Sequence, residues 1–174
     1  MSLSIKELRS IEPIRDDLGE PTESAEEYAS RVQRLLPNFP NQVISQWFQE
    51  HDGVIEQHAS LNYRTLKFEL TTLGPAELNL PCLAEHATVV QYRDYFLKGV
   101  ETPRMTRLAQ FIQEHHTWPV PPLIFDNPDG KFEIRSGFKY SIPYDLLEGH
   151  HRMAVLYALQ KHNQGRHKVW LIKR

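Results

Sequence analysis

A chain of 174 residues, 40% hydrophobic and 24% charged, holds enough apolar material for the core of one ordinary soluble domain. Its single cysteine, Cys82, excludes an internal disulfide framework and a four-cysteine zinc site. The net charge of −2 is unevenly spread, for residues 144–174 carry six cations against two anions, a local +4 in an otherwise acidic chain. That end suits a small anion better than a long nucleic-acid backbone, which asks for a broad basic face.

In chain order, Ser24 and Glu27 stand in capping-box spacing, so a helix is expected over residues 24–36, with Tyr28, Val32, Leu35 and Leu36 as its apolar stripe and Pro37 as its stop. A second helix follows Pro40, burying Val43, Ile44, Trp47 and Phe48 and fraying at His51, Asp52 and Gly53. Residues 66–70 alternate like a half-buried strand, broken by Gly74 and Pro75. One long helix is expected through LAEHATVVQYRDYFL to Gly99, and then Thr102 caps another with Met105, Leu108, Ala109 and Ile112 buried.

From Trp118 the pattern becomes that of a sheet. VPPLIF reads as a strand, DNPDG as a turn and KFEI as the second arm of a hairpin. RSGFKYSIP reads as a loop or strand extension, YDLLE as a strand, HHRMAVLYALQ as a helix too apolar for the surface, and HKVWLIKR as a closing strand. The fold class expected is α+β, a small mixed sheet with packed helices, divided into a mainly helical extension over residues 1–100 and a core over 101–174.

Between the last two apolar runs stand Glu148, Gly149, His150, His151 and Arg152. A strand that ends at Glu148, turns on Gly149 and starts a helix at once places both histidines and Arg152 in the first helical turn. Helix amino ends expose unpaired N–H groups and a partial positive charge, so they attract anions. Cations placed there are unfavourable unless an anion is bound. Arg152, with a solvent-facing head, is expected to grip a phosphate, with the histidines donating to it or shuttling protons. The competing reading pairs Glu148 with Arg152 four residues later and leaves the histidines on the surface. Adjacent histidines such as His115 and His116, or His150 and His151, point about 100° apart on a helix and seldom chelate one ion, so no metal site is expected. Cys82 reads as a small buried residue rather than a nucleophile.

The order VPPLIFDNPDGKFEI, YDLLEGHHRMAVLYALQ, HKVWLIKR resembles the ParB/sulfiredoxin-like superfamily, whose core carries a G-x-x-R helix start that binds nucleotide phosphates. The resemblance covers about the last third of the chain, extending to about two fifths with the preceding helix. It implies ATP, ADP or CTP with Mg²⁺ as the ligand. It also implies phosphate-holding roles for Gly149, His151 and Arg152, and makes Arg104, Thr106 and Arg107 candidates on the preceding helix. His150 falls where sulfiredoxins have their reactive cysteine, so that sulfur chemistry is absent. The nearest spelling is the D-G-H-H-R of ParB-like serine kinases, with Glu148 in place of the aspartate, and it makes Glu148 and His150 the candidate catalytic groups.

The expectation is therefore a nucleotide-binding protein for phosphoryl transfer or nucleotide hydrolysis. The alternatives are a noncatalytic regulatory or DNA/protein-binding module and a ParB-like nuclease. Nucleic acid is not favoured, because the charge is weak and no helix-turn-helix follows the motif. The N-terminal helices offer a face for a protein partner. No run approaches the roughly 18 apolar residues of a membrane helix, and MSLSIKELRS lacks a signal peptide's apolar core. The expected setting is cytoplasmic, without a membrane partner.

Overall fold

Ser4 and Ser24 each start a helix in the same way. The serine hydroxyl accepts the N–H of a glutamate three residues on, and that glutamate reaches back to the serine N–H, which satisfies two donors a helix start would leave unpaired. These helices are α1 (Ile5–Ser10) and α2 (Ala25–Gln33). A computed structural model describes residues 3–51, 53–58, 60–100, 102–130, 139–159 and 164–174. Over these residues the fold is α+β, and none of their helices is long and apolar enough to cross a membrane.

Contacts group the chain into two units. The first comprises residues 1–68, 130–140 and 172–174. In it, α3 (Asn41–Ile44) runs on into a π-helical turn, Ser45–Gln49, and α4 (Val54–Gln57) follows. The wide turn carries Trp47 and Phe48 inward onto Phe39, with ring centroids 6.3 and 5.3 Å away. Tyr28, Val32 and Leu36 complete this aromatic core, all fully buried. His58 sits within it, its Nδ1 2.6 Å from the Tyr140 hydroxyl. The stripes expected on both helices are the buried faces, apart from Leu35, which is half-buried.

The second unit comprises residues 69–129 and 141–171. Strands β1 (Lys67–Leu73), β2 (Leu123–Asp126), β3 (Tyr144–Glu148) and β4 (His167–Lys173) form a mixed sheet in the order β1-β4-β2-β3. β2 and β3 are antiparallel, with Ile124 opposite Leu146 and Phe125 opposite Asp145. The expected KFEI arm of the hairpin and the first part of RSGFKYSIP lie outside the described residues. Helices α5 (Pro75–Leu78), α6 (Pro81–Ala84), α7 (Ala87–Leu97), α8 (Pro103–His115) and α9 (His150–Ala158) accompany the sheet. Leu78, Leu83, Val89, Met105, Ile112, Met153, Val155 and Val169 are among the buried side chains of its core.

Several bounds differ from the sequence expectation: α2 ends at Gln33 and β2 begins only at Leu123. β1 runs three residues past Leu70 before Gly74 and Pro75 end it. The long helix expected up to Gly99 is broken at Glu85 and His86, where the His86 backbone leaves the helical region with φ −56° and ψ 125°. The reason is packing: α6 lies against β3 while α7 lies along α9, and one straight helix cannot serve both directions. α8 begins as expected, the Thr102 hydroxyl accepting the Met105 N–H at 3.3 Å.

Candidate functional site

The turn between β3 and α9 is fixed by Gly149. Its φ of 105° lies in the left-handed region, and a Cβ at this position would stand 2.5 Å from the Pro122 side chain. Only glycine meets both conditions, the backbone angle and the close approach of Pro122. Immediately after it, α9 starts with His150 and His151, and no side chain caps this end.

Glu148 and Arg152 lie at opposite ends of this turn and bind each other. Arg152 Nη2 donates to Glu148 Oε1 at 2.9 Å, and Nη1 donates to the Val120 carbonyl, also at 2.9 Å. Both side chains are almost wholly buried, with 10% and 11% of their surface exposed for Arg152 and Glu148. The guanidinium therefore joins the end of β3, the start of α9 and the segment before β2, and its head does not face solvent. The i,i+4 pairing weighed against a phosphate clamp is the one formed.

His151 stacks on Tyr92 of α7, ring centroids 4.0 Å apart and planes 18° from parallel. Burial first, and then the charge of Arg104 with a smaller effect from Arg152, push its imidazole below the usual histidine range, while Glu148 opposes them. The protonated form of His151 is thereby disfavoured. Arg104, exposed in the first turn of α8, is close enough for its charge to act on this ring, so the fold joins two of the expected phosphate-binding residues from separate helices. Thr106 bonds back to the Thr102 carbonyl within α8 at 3.3 Å, and Arg107 is an exposed residue of the same helix.

His150, half-buried, faces His86, the residue at the break between α6 and α7, with ring centroids 4.9 Å apart. Asp145 on β3 lies within charge range of His86. Burial raises its carboxyl above the usual range, against the lowering effects of the Ser141 N–H and of nearby His86. Around the start of α9 the rings of His86 and Tyr92 thus meet His150 and His151, Arg104 and Asp145 lie within charge range of members of this group, and the Glu148–Arg152 pair closes the turn. His86, Tyr92 and Asp145 were not singled out in the sequence. A helix drawn straight through residue 86 makes His86 one more helix-surface residue, and Asp145 reads as the polar position of an alternating strand. The signal that was present is the polar dipeptide Glu85-His86 interrupting the apolar run on either side of it.

Chemically the cluster offers the guanidinium of Arg104, imidazoles that donate or accept, and the positive end of a helix dipole with no side-chain cap. Among the described residues no group of three or more His, Cys, Asp or Glu side chains is placed to hold a metal ion. Comparison of the chain with protein-family models, with curated proteins and with solved structures finds no match in any of the three.

Proposed function

We propose that this chain binds a nucleotide by its phosphates at the amino end of α9 and acts in phosphoryl transfer or nucleotide hydrolysis. The observation that carries the reading is a helix start that no side chain caps, opened by His150 and His151, with Arg104 of α8 within charge range of His151. The positive end of the helix dipole favours an anion there, and neutral imidazoles can donate to it. Each charge-assisted bond to it returns about 1.5 to 3 kcal/mol. The resemblance of the Gly149-His150-His151-Arg152 turn to the G-x-x-R helix start of the ParB/sulfiredoxin-like superfamily adds the ligand class, a nucleoside di- or triphosphate with Mg²⁺. Gly149 contributes backbone, His150 and His151 donate to the phosphate, and Arg104 supplies its counter-charge. Arg152 acts at one remove, by fixing the turn. Phosphoryl transfer asks for positioning and charge neutralisation more than for covalent chemistry, which suits this inventory.

Isothermal titration with ATP, ADP and CTP in Mg²⁺ tests the reading. At least one is expected to bind, and Arg104→Ala with His151→Ala is expected to remove that binding without unfolding the protein. Silence for all three at millimolar concentration refutes it.

A second reading has an observation of its own. The buried Glu148–Arg152 pair satisfies the motif's arginine internally, as a noncatalytic regulatory module that keeps the turn for stability would. Loss of stability on breaking the pair, in a protein that no nucleotide binds, is the outcome that favours it.

A further inference from the structure

His151 is the second residue of α9, and a histidine at a helix start ordinarily turns about its side-chain bonds and offers its ring nitrogens in several directions. Here a neighbour holds it. Tyr92 of α7 lies over the imidazole, ring centroids 4.0 Å apart and planes 18° from parallel, so the two rings meet face to face. The tyrosine ring is itself partly buried against the core of its unit. His151 therefore rests on an anchored surface.

The break at Glu85 and His86 makes this contact possible. α6 lies against β3, and the chain changes direction at the break so that α7 packs along α9. Tyr92, in the second turn of α7, then meets His151 in the first turn of α9.

Resting on the phosphate reading above, we propose that Tyr92 is a positioning residue of this site, whose ring face holds the His151 imidazole in the plane from which it donates to a phosphate. Two physical effects give the contact its weight. Ring N–H groups donate within the plane of the imidazole, so a stacked partner that fixes the plane fixes the direction of the bond. It also removes in advance the freedom that binding would otherwise have to take away. The second effect concerns charge, because an imidazole beside a bound anion gains from carrying a proton. Arg104 on α8 and Arg152 on α9 oppose that proton, and Glu148 on β3 favours it. Tyr92 on α7 sides with Glu148, since the face of an aromatic ring attracts a cation within about 6 Å of its centre. The stack thus suits both the neutral ring and the charged one beside a phosphate.

The experiment measures the affinity for ATP, ADP and CTP with Mg²⁺ by calorimetry, and follows the His151 imidazole resonances from about pH 5 to 8, for the wild type, Tyr92→Phe and Tyr92→Leu. Tyr92→Leu is expected to bind the preferred nucleotide about 3- to 10-fold more weakly, the scale of ordering one side chain at a binding site. Tyr92→Phe keeps the ring face and stays within about twofold of the wild type. On adding nucleotide, the His151 titration midpoint moves to higher pH in the wild type and in Tyr92→Phe, and by less in Tyr92→Leu. A loss of packing alone weakens binding without changing that movement. Circular dichroism checks that the variants fold, and Tyr92→Met serves if Tyr92→Leu does not. Equal affinity in the wild type and Tyr92→Leu overturns the assignment alone. So does a Tyr92→Phe protein that loses as much as Tyr92→Leu, or a His151 midpoint that moves equally in all three. A wild type that binds no nucleotide overturns the phosphate reading, and this inference with it.

Discussion

Arg152→Ala separates a ligand-gripping arginine from a structural one. The Arg152 guanidinium donates to the Glu148 carboxylate and the Val120 carbonyl, each at 2.9 Å, and both charged side chains are about nine-tenths buried. Removing the arginine leaves the Glu148 carboxylate buried without its counter-charge, which costs about 3 to 5 kcal/mol for pairs of this kind, whereas replacing both partners by apolar groups is often neutral. At about 2 to 4 °C per kcal/mol for a protein of this size, the melting temperature falls by roughly 6 to 20 °C. Glu148→Gln is expected to destabilise by a comparable amount, and the double variant Glu148→Gln/Arg152→Met by less than the two single losses together, since the second change removes a charge already orphaned. Urea unfolding at neutral pH, followed by circular dichroism, gives the three values. If Arg152→Ala melts within about 1 °C of wild type and only loses nucleotide affinity, the ion pair does not hold the turn in solution. The arginine is then the phosphate clamp that its position in the sequence suggests.

Gly149→Ala combines a backbone penalty of about 1 to 2 kcal/mol for a left-handed residue with a Cβ 2.5 Å from Pro122, so a loss of at least 2 kcal/mol in about neutral buffer is expected; thermal melting unchanged from wild type refutes the turn geometry. His58, buried beside Tyr140, has its pKa lowered by burial to about 4. The unfolded chain therefore binds a proton that the folded one refuses, and stability declines as pH falls from the ordinary value near 6.5 towards 4, by up to about 3 kcal/mol. Urea midpoints across that range check it, and His58→Phe should flatten this part of the profile. Ser24→Ala removes the hydroxyl that accepts the Glu27 N–H and donates to the Glu27 carboxylate, costing about 1 kcal/mol in the same unfolding assay.

Local chemistry made much of this fold readable. Ser24 with Glu27, and Thr102 before Pro103, each mark a helix start through bonds that involve only neighbours in sequence. Ser4 with Glu7 carries the same signature and went unread, although it opens α1 as faithfully. Gly149 was legible as a corner because its conformation is closed to other residues. The break at His86 was not, because it is imposed by tertiary packing: α6 and α7 serve different neighbours, and nothing in residues 83–87 is a helix breaker by itself. For the same reason Asp145 and Tyr92, brought to α9 from β3 and α7, could not be grouped with His150 and His151 beforehand. The fate of Arg152 turned on Val120, thirty-two residues away in sequence, whose carbonyl fixes the guanidinium inward. Spacing alone offers Glu148 as a partner and cannot tell a buried pair from an exposed one.

The central claim, that the amino end of α9 holds a phosphate group, is tested most directly by following backbone amide resonances while ADP with Mg²⁺ is added. The largest shifts are expected at Gly149, His150 and His151, with smaller ones at Arg104 and His86, all saturating at one ADP concentration, and with the His151 imidazole moved towards its protonated form by the anion beside it. Shifts absent from residues 149–151, or confined to other parts of the chain, contradict the claim.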